Sequence, residues 1–316
     1  MTDEALEPVV EQAIEWMVRL RSGRTDTATK VAFHDWLAAA PDHAQTWQEL
    51  QRRLGAPYER VRSAPASLRE PLLQANHGRR DVLRGLVGLG LFGGGLWLAS
   101  RSDHGQALLA DLRTGTAERR ELTLADGSRL SLNAGSAVNL DFSPGQRLLY
   151  LHQGSLVIQV IADATRPLVV RTAQGDARAL GTRFLVERHN DSTRVVVLEH
   201  AVRVSLATGE QLDLQEGQSA DLHRTHIERL DGDQRYRADW QQGRLSVLDE
   251  PLQTVIDALR PYHRGLLRVA PEVRGLRVQG VFPLDDNERT FNALAETLPV
   301  KIEHYGPWLT LIVPRG

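Results

Sequence analysis

Cysteine is absent from the 316 residues, which excludes disulfide bridges, thiolate metal sites and a cysteine nucleophile. A basic excess is missing too: 38 Lys and Arg against 40 Asp and Glu leave a formal net charge of -2. A general nucleic-acid binder needs surplus cations to neutralise phosphates, so no direct nucleic-acid contact is expected. Lysine is nearly absent, with only Lys30 and Lys301 present, a bias that reflects base composition. The 11 histidines are scattered. None falls in an H-E-x-x-H or comparable ligand spacing, so neither a metal nor a cofactor is expected. A chain of this length holds two or three compact units.

Charge is also missing from one stretch, Gly85 to Ser100 (GLVGLGLFGGGLWLAS), around which the chain is organised. As a helix rising about 1.5 Å per residue the run spans roughly 24 Å, somewhat short of a hydrocarbon core of about 30 Å. Val82 and Leu83 extend it if Arg84 snorkels to the interface. A single transmembrane helix over 82–100 is therefore expected, with a glycine-rich buried hairpin as the competing reading. Arg79-Arg80-Asp81-Val82-Leu83-Arg84 resembles the twin-arginine export signal: an arginine pair, a spacer, two apolar residues and a basic one. The segment lies far from the N-terminus and lacks a small-residue cleavage site, which favours an uncleaved anchor. Arg79, Arg80 and Arg84 before the run, against Arg101 after it, place the N-terminal side in the cytoplasm and the C-terminal side in the periplasm. Gly88-x-Gly90-x-x-Gly93, with Asp111 downstream, also fits a dinucleotide-binding fingerprint. The short strands and tight turns that follow are not the βαβ units this fingerprint needs, which disfavours the alternative of a nucleotide-binding oxidoreductase.

Before the run the apolar residues recur at three- and four-residue intervals. They predict helices over 8–20, 27–39 and 42–54, a bundle within 1–55, followed by a Pro-, Ser- and Arg-rich linker over 56–81. Trp16, Trp36 and Trp47 fall in this bundle. Some of these rings serve as its core. A unit of about fifty residues cannot enclose them all, so Trp16, Leu20, Trp36, Leu37 and Trp47 are the candidates for gripping a partner helix.

After the run the period changes to two. Glu121-Leu-Thr-Leu and Arg129-Leu-Ser-Leu flank an Asp126-Gly127 turn, and alternating segments continue to Ser205. Short strands at this spacing predict an all-β sandwich or β-roll over 101–235. From 236 to 316 strands and helices alternate. Leu248-Asp249-Glu250 with Thr254-Val255 is repeated weakly as Leu284-Asp285-Asp286 with Thr290-Phe291, which predicts an α+β module of two βαβ-like halves. Such a module binds more readily than it catalyses.

The strings Leu151-His-Gln-Gly154-Ser-Leu-Val-Ile-Gln-Val160, Arg166-Pro-Leu-Val-Val-Arg-Thr172, Ala179-Leu-Gly-Thr-Arg-Phe-Leu-Val186, Val195-Val-Val-Leu-Glu-His-Ala-Val202 and Leu214-Gln-Glu-Gly-Gln218 together resemble the FecR family of transmembrane sigma regulators. The likeness extends to Trp16-x-x-x-Leu20, to Phe33-x-x-Trp-Leu37-x-x-x-Pro-x-His43, and to Trp240-x-x-Gly-Arg-Leu245 through Asp249-x-Pro-Leu252. One departure is His200, where the family often has glycine. The resemblance implies an anti-sigma factor of the inner membrane. Its N-terminal helices would hold an extracytoplasmic-function sigma factor. Its last module, similar to the secretin and TonB N-terminal domain, would receive the signalling domain of an outer-membrane TonB-dependent siderophore receptor. Envelope proteases would then release the N-terminal segment to control iron-uptake genes. An envelope scaffold with no sigma partner is the alternative.

The resemblance also implies that the Gly181-Thr182 bond is a site of self-cleavage. The Thr182 hydroxyl can attack the Gly181 carbonyl through a five-membered ring to give an ester that water opens. Glycine permits the backbone this requires, and nearby donors would stabilise the oxyanion. His152, His189 and His200 are the candidate proton carriers. The competing reading makes Gly181 a turn residue at the start of a buried strand. No other catalysis is expected.

Overall fold

A computed structural model describes residues 8–21, 27–48, 107, 110–163, 165–179, 181–306 and 308–315. The expected linker and anchor over 56–100, with Arg79, Arg80, Leu83, Arg84 and the glycine fingerprint, lie outside the described residues. Among the described residues no helix is long and apolar enough to cross a membrane.

Two N-terminal helices, α1 (Pro8–Arg21) and α2 (Thr27–Ala39), pack on each other and are followed by a helical stretch over 41–48, α3. Pro41 opens α3, the position where a missing N–H costs nothing. Ala13 of α1 is fully buried, and Val10, Trp36 and Trp47 pack beside it against the C-terminal module.

The middle of the chain is all β. One seven-stranded sheet contains β1 (Leu112–Arg113), β4 (Ala137–Ser143), β5 (Gln146–Gln153), β7 (Leu168–Arg171), β8 (Asp176–Ala179), β11 (Ala201–Ser205) and β12 (Gln211–Gln215), in that order. The other contains β14 (Ile227–Leu230), β13 (Ser219–Leu222), β10 (Thr193–Glu199), β9 (Arg183–Arg188), β6 (Ser155–Gln159), β3 (Arg129–Leu132) and β2 (Arg120–Thr123). Every pairing in these two sheets is antiparallel except β5 with β7. Period-two alternation sends one face of each sheet inward. Leu149, Leu168 and Val202 from the first thus share a continuous core with Leu130, Phe184 and Val195 from the second. Each such large side chain contributes about 1.5–3 kcal/mol by leaving water.

The turns follow from their residues. At the β2–β3 hairpin Gly127 takes φ +85°, and the Asp126 carboxylate accepts from the Ser128 N–H at 3.0 Å and its hydroxyl at 2.8 Å. Arg147 from β5 reaches the same carboxylate at 2.7 Å in a buried pair. Burial pushes the Asp126 carboxyl up, but Ser128 and Arg147 outweigh it and leave it below the usual carboxylate range.

A 3-10 segment, Arg235–Gln242, leads into the C-terminal module. This comprises β15 (Arg244–Pro251), α4 (Leu252–Leu259), β16 (Leu266–Val269), β17 (Arg277–Pro283), α5 (Asn287–Thr297), β18 (Val300–Tyr305) and β19 (Leu309–Pro314). The two strand–helix–strand halves appear in the expected order, but they do not form separate sheets. β15 pairs antiparallel with β17, while β16 pairs parallel with β19, which also carries β18. Each sheet therefore draws strands from both halves, so neither half buries its apolar face alone. Leu252, Val255, Ile256 and Leu259 of α4 and Phe291 and Leu294 of α5 close the shared core.

Candidate functional sites

The three candidate tryptophans of the N-terminal helices converge on Phe33. Trp16 lies 5.6 Å from its ring, Trp36 6.2 Å and Trp47 4.8 Å edge-on, while Trp16 and Trp36 are 6.3 Å apart. His43 stacks on Trp36 at 4.6 Å, and its Nδ1 lies 2.7 Å from the Trp36 carbonyl. The Trp36 indole N–H donates to Gln12 Oε1 at 2.8 Å. All of Trp16, Leu20, Trp36, Leu37 and Trp47 are half-buried. The rings therefore serve as core and as surface at once: one part of each braces the bundle and the rest remains to cover something else.

Gly181 and Thr182 sit where the chain enters β9. Gly181 takes φ +81°, and a Cβ there would press on the Ala162 Cβ at 3.3 Å. Thr182 is buried; its hydroxyl donates to the Glu199 carbonyl, and its own carbonyl accepts from the Val160 N–H at 2.9 Å. The register sorts the three histidines. β9 begins beside Gln159 and Glu199. His189 follows its far end, and His152 stands just before Gly154, whose carbonyl accepts from the Arg188 N–H at 2.9 Å. At about 3.3 Å per residue those two lie roughly 20 Å from Thr182 along the strand. His200 directly follows Glu199, the residue to which Thr182 is bonded. It is the one candidate brought to this end of the sheet, and it holds φ +64°.

Arg183, the next residue, reaches two ways. It pairs with Glu199 at 3.6 Å and donates to Gln241 Oε1 at 2.8 Å, and Gln241 in turn donates to Ser131 at 2.8 Å. Gln241 belongs to the 3-10 segment that opens the C-terminal module, so the start of β9 is hydrogen-bonded to that module. Sequence patterning gave no sign of this contact, which joins positions 58 residues apart.

Residues 110–203 match the family model described as FecR protein. Over this span the chain is similar to the FecR family. Both Gly181 and Thr182 lie inside the matched span. Residues 11–53 match a second model, DUF4880, described as a domain of unknown function; it takes in the whole aromatic cluster. Among solved structures, two crystal structures of a candidate anti-sigma factor from Parabacteroides distasonis, at 1.65 and 2.50 Å resolution, are 22% identical to this chain with a TM-score of 0.59. The likeness covers 65% of this chain and 99% and 98% of those chains, and it shows a shared fold. No curated protein matches the chain.

Proposed function

We propose that this chain is an inner-membrane sigma regulator of the FecR family. Its N-terminal helices bind an extracytoplasmic-function sigma factor in the cytoplasm, residues 82–100 cross the membrane, and the β sandwich and C-terminal module stand in the periplasm. The module receives the signalling domain of an outer-membrane TonB-dependent siderophore receptor, and envelope proteases carry the signal inward to iron-uptake genes. The chain acts as a regulator, with no reaction on an external substrate.

The observation that carries this reading is the order of parts. A DUF4880 match over 11–53 and a FecR match over 110–203 flank the uncharged run Gly85–Ser100. The bundle surface fits the role. Val10, Ala13, Trp36 and Trp47 form an apolar face, covered here by the C-terminal module. A membrane between the two units parts them and frees this face for the helices of a sigma factor.

Self-cleavage at Gly181-Thr182 belongs to the same proposal. It is supported by the left-handed glycine, the bonded Thr182 hydroxyl and the neighbouring His200. The hydroxyl must swing from the Glu199 carbonyl to the Gly181 carbonyl carbon; the amide nitrogen leaves with a proton, and water opens the ester.

The test is one experiment with both ends tagged in the bacterial host. Membrane fractions are immunoblotted with and without protease added to spheroplasts, and the N-terminal tag is used to recover bound sigma factor. The expected result is a protease-sensitive C-terminal fragment beginning near Thr182, a membrane-held N-terminal piece and a co-purified sigma factor. In Thr182→Ala one intact chain replaces the fragments. Unchanged fragmentation in that variant overturns the cleavage site, and a wholly soluble chain without sigma factor overturns the regulator.

A further inference from the structure

The β13–β14 hairpin, at the edge of its sheet, carries a side-chain cluster that the proposed relay does not use. His223 and His226 flank the turn Arg224-Thr225, closed by the His223 N–H donating to the His226 carbonyl at 3.0 Å. One pair back, Asp221 and Glu228 are cross-strand partners. Alternate residues of a strand share a face, so Asp221, His223, His226 and Glu228 all stand on one face while Leu222 points into the sandwich core.

The geometry is that of a ligand set. The two imidazoles stack with centroids 4.5 Å apart and planes 15° from parallel. His223 Nε2 lies 3.5 Å from Glu228 Oε2. One ligand atom from each of His223, His226 and Glu228 falls within 4.8 Å of the others. A tetrahedral zinc ion with bonds of about 2.0–2.2 Å sets its ligand atoms about 3.3 Å apart. The His223–Glu228 edge is already close to that length, and His226 and Glu228 are exposed, so their side chains have room to turn out of the stacked arrangement toward a shared ion. Asp221 is not a fourth ligand, because Arg194 Nε and Nη2 hold its two oxygens at 2.8 and 2.7 Å.

We infer that His223, His226 and Glu228 form a three-ligand site for a divalent transition-metal ion, with zinc the principal candidate and at least one coordination position open to water or to a group from a partner. Two imidazoles and a carboxylate suit Zn²⁺, Ni²⁺ or Cu²⁺ and discriminate against Mg²⁺ and Ca²⁺, which take oxygen ligands. The H-x-x-H-x-E spacing was in the sequence, yet it resembles no helical zinc motif. It becomes a site only because a two-residue turn folds the second histidine back onto the first.

The full-length chain, purified in detergent and stripped with a chelator, is titrated with Zn²⁺ by calorimetry beside His223→Ala, His226→Ala, Glu228→Gln and the control His189→Ala. One ion per chain is expected in the wild type and in His189→Ala. Each of the three ligand variants should bind at least tenfold more weakly with unchanged circular dichroism. X-ray absorption at the zinc edge should then show two imidazoles and one carboxylate. Zinc uptake by His223→Ala/His226→Ala equal to that of the wild type, or an absorption spectrum without paired imidazoles, overturns the site.

Discussion

Two residues at turns hold backbone conformations that single substitutions can test. Gly154, between β5 and β6, takes φ +79°, and a Cβ there would lie 2.4 Å from the Ser136 hydroxyl and 2.7 Å from its Cα. That hydroxyl is itself fixed, donating to the Ser155 carbonyl at 2.9 Å and accepting from the Ser155 N–H at 3.0 Å. Gly154→Ala combines left-handed strain with a backbone clash and is expected to cost about 3 kcal/mol, read as a lower urea midpoint. His200 is the opposite case: it sits at φ +64°, where the side chain is the source of strain. His200→Gly is expected to raise stability by roughly 0.5–1 kcal/mol in the same titration. It should also slow cleavage if the imidazole carries the proton. The left-handed turn at His200 is a position that glycine would occupy without strain. Which histidine stands near Thr182 was not visible, because all three lie in similar polar contexts and only strand register separates them.

At the scale of elements, the outer face of the β10–β13 pair is held by Arg194 and Asp221, with side chains 17% and 12% exposed. Burial pushes the Asp221 carboxyl up, but Arg194 outweighs it and holds the group below its ordinary value of 3.8. A carboxyl depressed by folding contributes stability that is complete above the unfolded value and is lost as pH falls through the lower folded one. Asp221→Asn leaves a largely buried guanidinium without its counter-charge and is expected to cost about 2–3 kcal/mol at pH 7. Its penalty should shrink as pH falls below the ordinary carboxylate value, where the wild type loses the same pair; a penalty that does not change with pH rejects the assignment. Sequence alternation located most strands from β2 to β11, where Val, Ile and Leu alternate with polar residues. It did not find β8 (Asp-Ala-Arg-Ala), β12 (Gln-Leu-Asp-Leu-Gln), β13 (Ser-Ala-Asp-Leu) or β14 (Ile-Glu-Arg-Leu), where Ala, Asp, Glu and Gln are poor strand formers held in place by neighbours. The parallel pairing of β5 with β7 and the exchange of strands between the two C-terminal halves are long-range choices that no local period encodes.

Across the whole molecule, one place where the sandwich and the C-terminal module meet is built around a tyrosine. Tyr262 follows α4 and is 3% exposed; its hydroxyl donates to Asn133 Oδ1, in the turn after β3. The Arg119 guanidinium lies 5.6 Å from its ring centroid and donates to both Asp285 oxygens at 2.8 Å. The Ala117 N–H donates to the Pro261 carbonyl at 2.9 Å. Burial raises the Tyr262 hydroxyl above its ordinary range even though Arg119 pulls it down, so the phenol stays neutral and a donor. Arg119→Ala, a change on the sandwich side, removes the contact over the Tyr262 ring and the bond to Asp285 and leaves the module's own core untouched. The direct loss should be only about 1 kcal/mol, since Asp285 is exposed and its pair is screened by water. The informative change is in cooperativity: amide exchange in β17 and α5 should quicken while exchange in β6 and β9 stays as in the wild type. Equal acceleration in both regions would mean that the two units open only together. In that case the module could not move independently of the strand that Thr182 leads into.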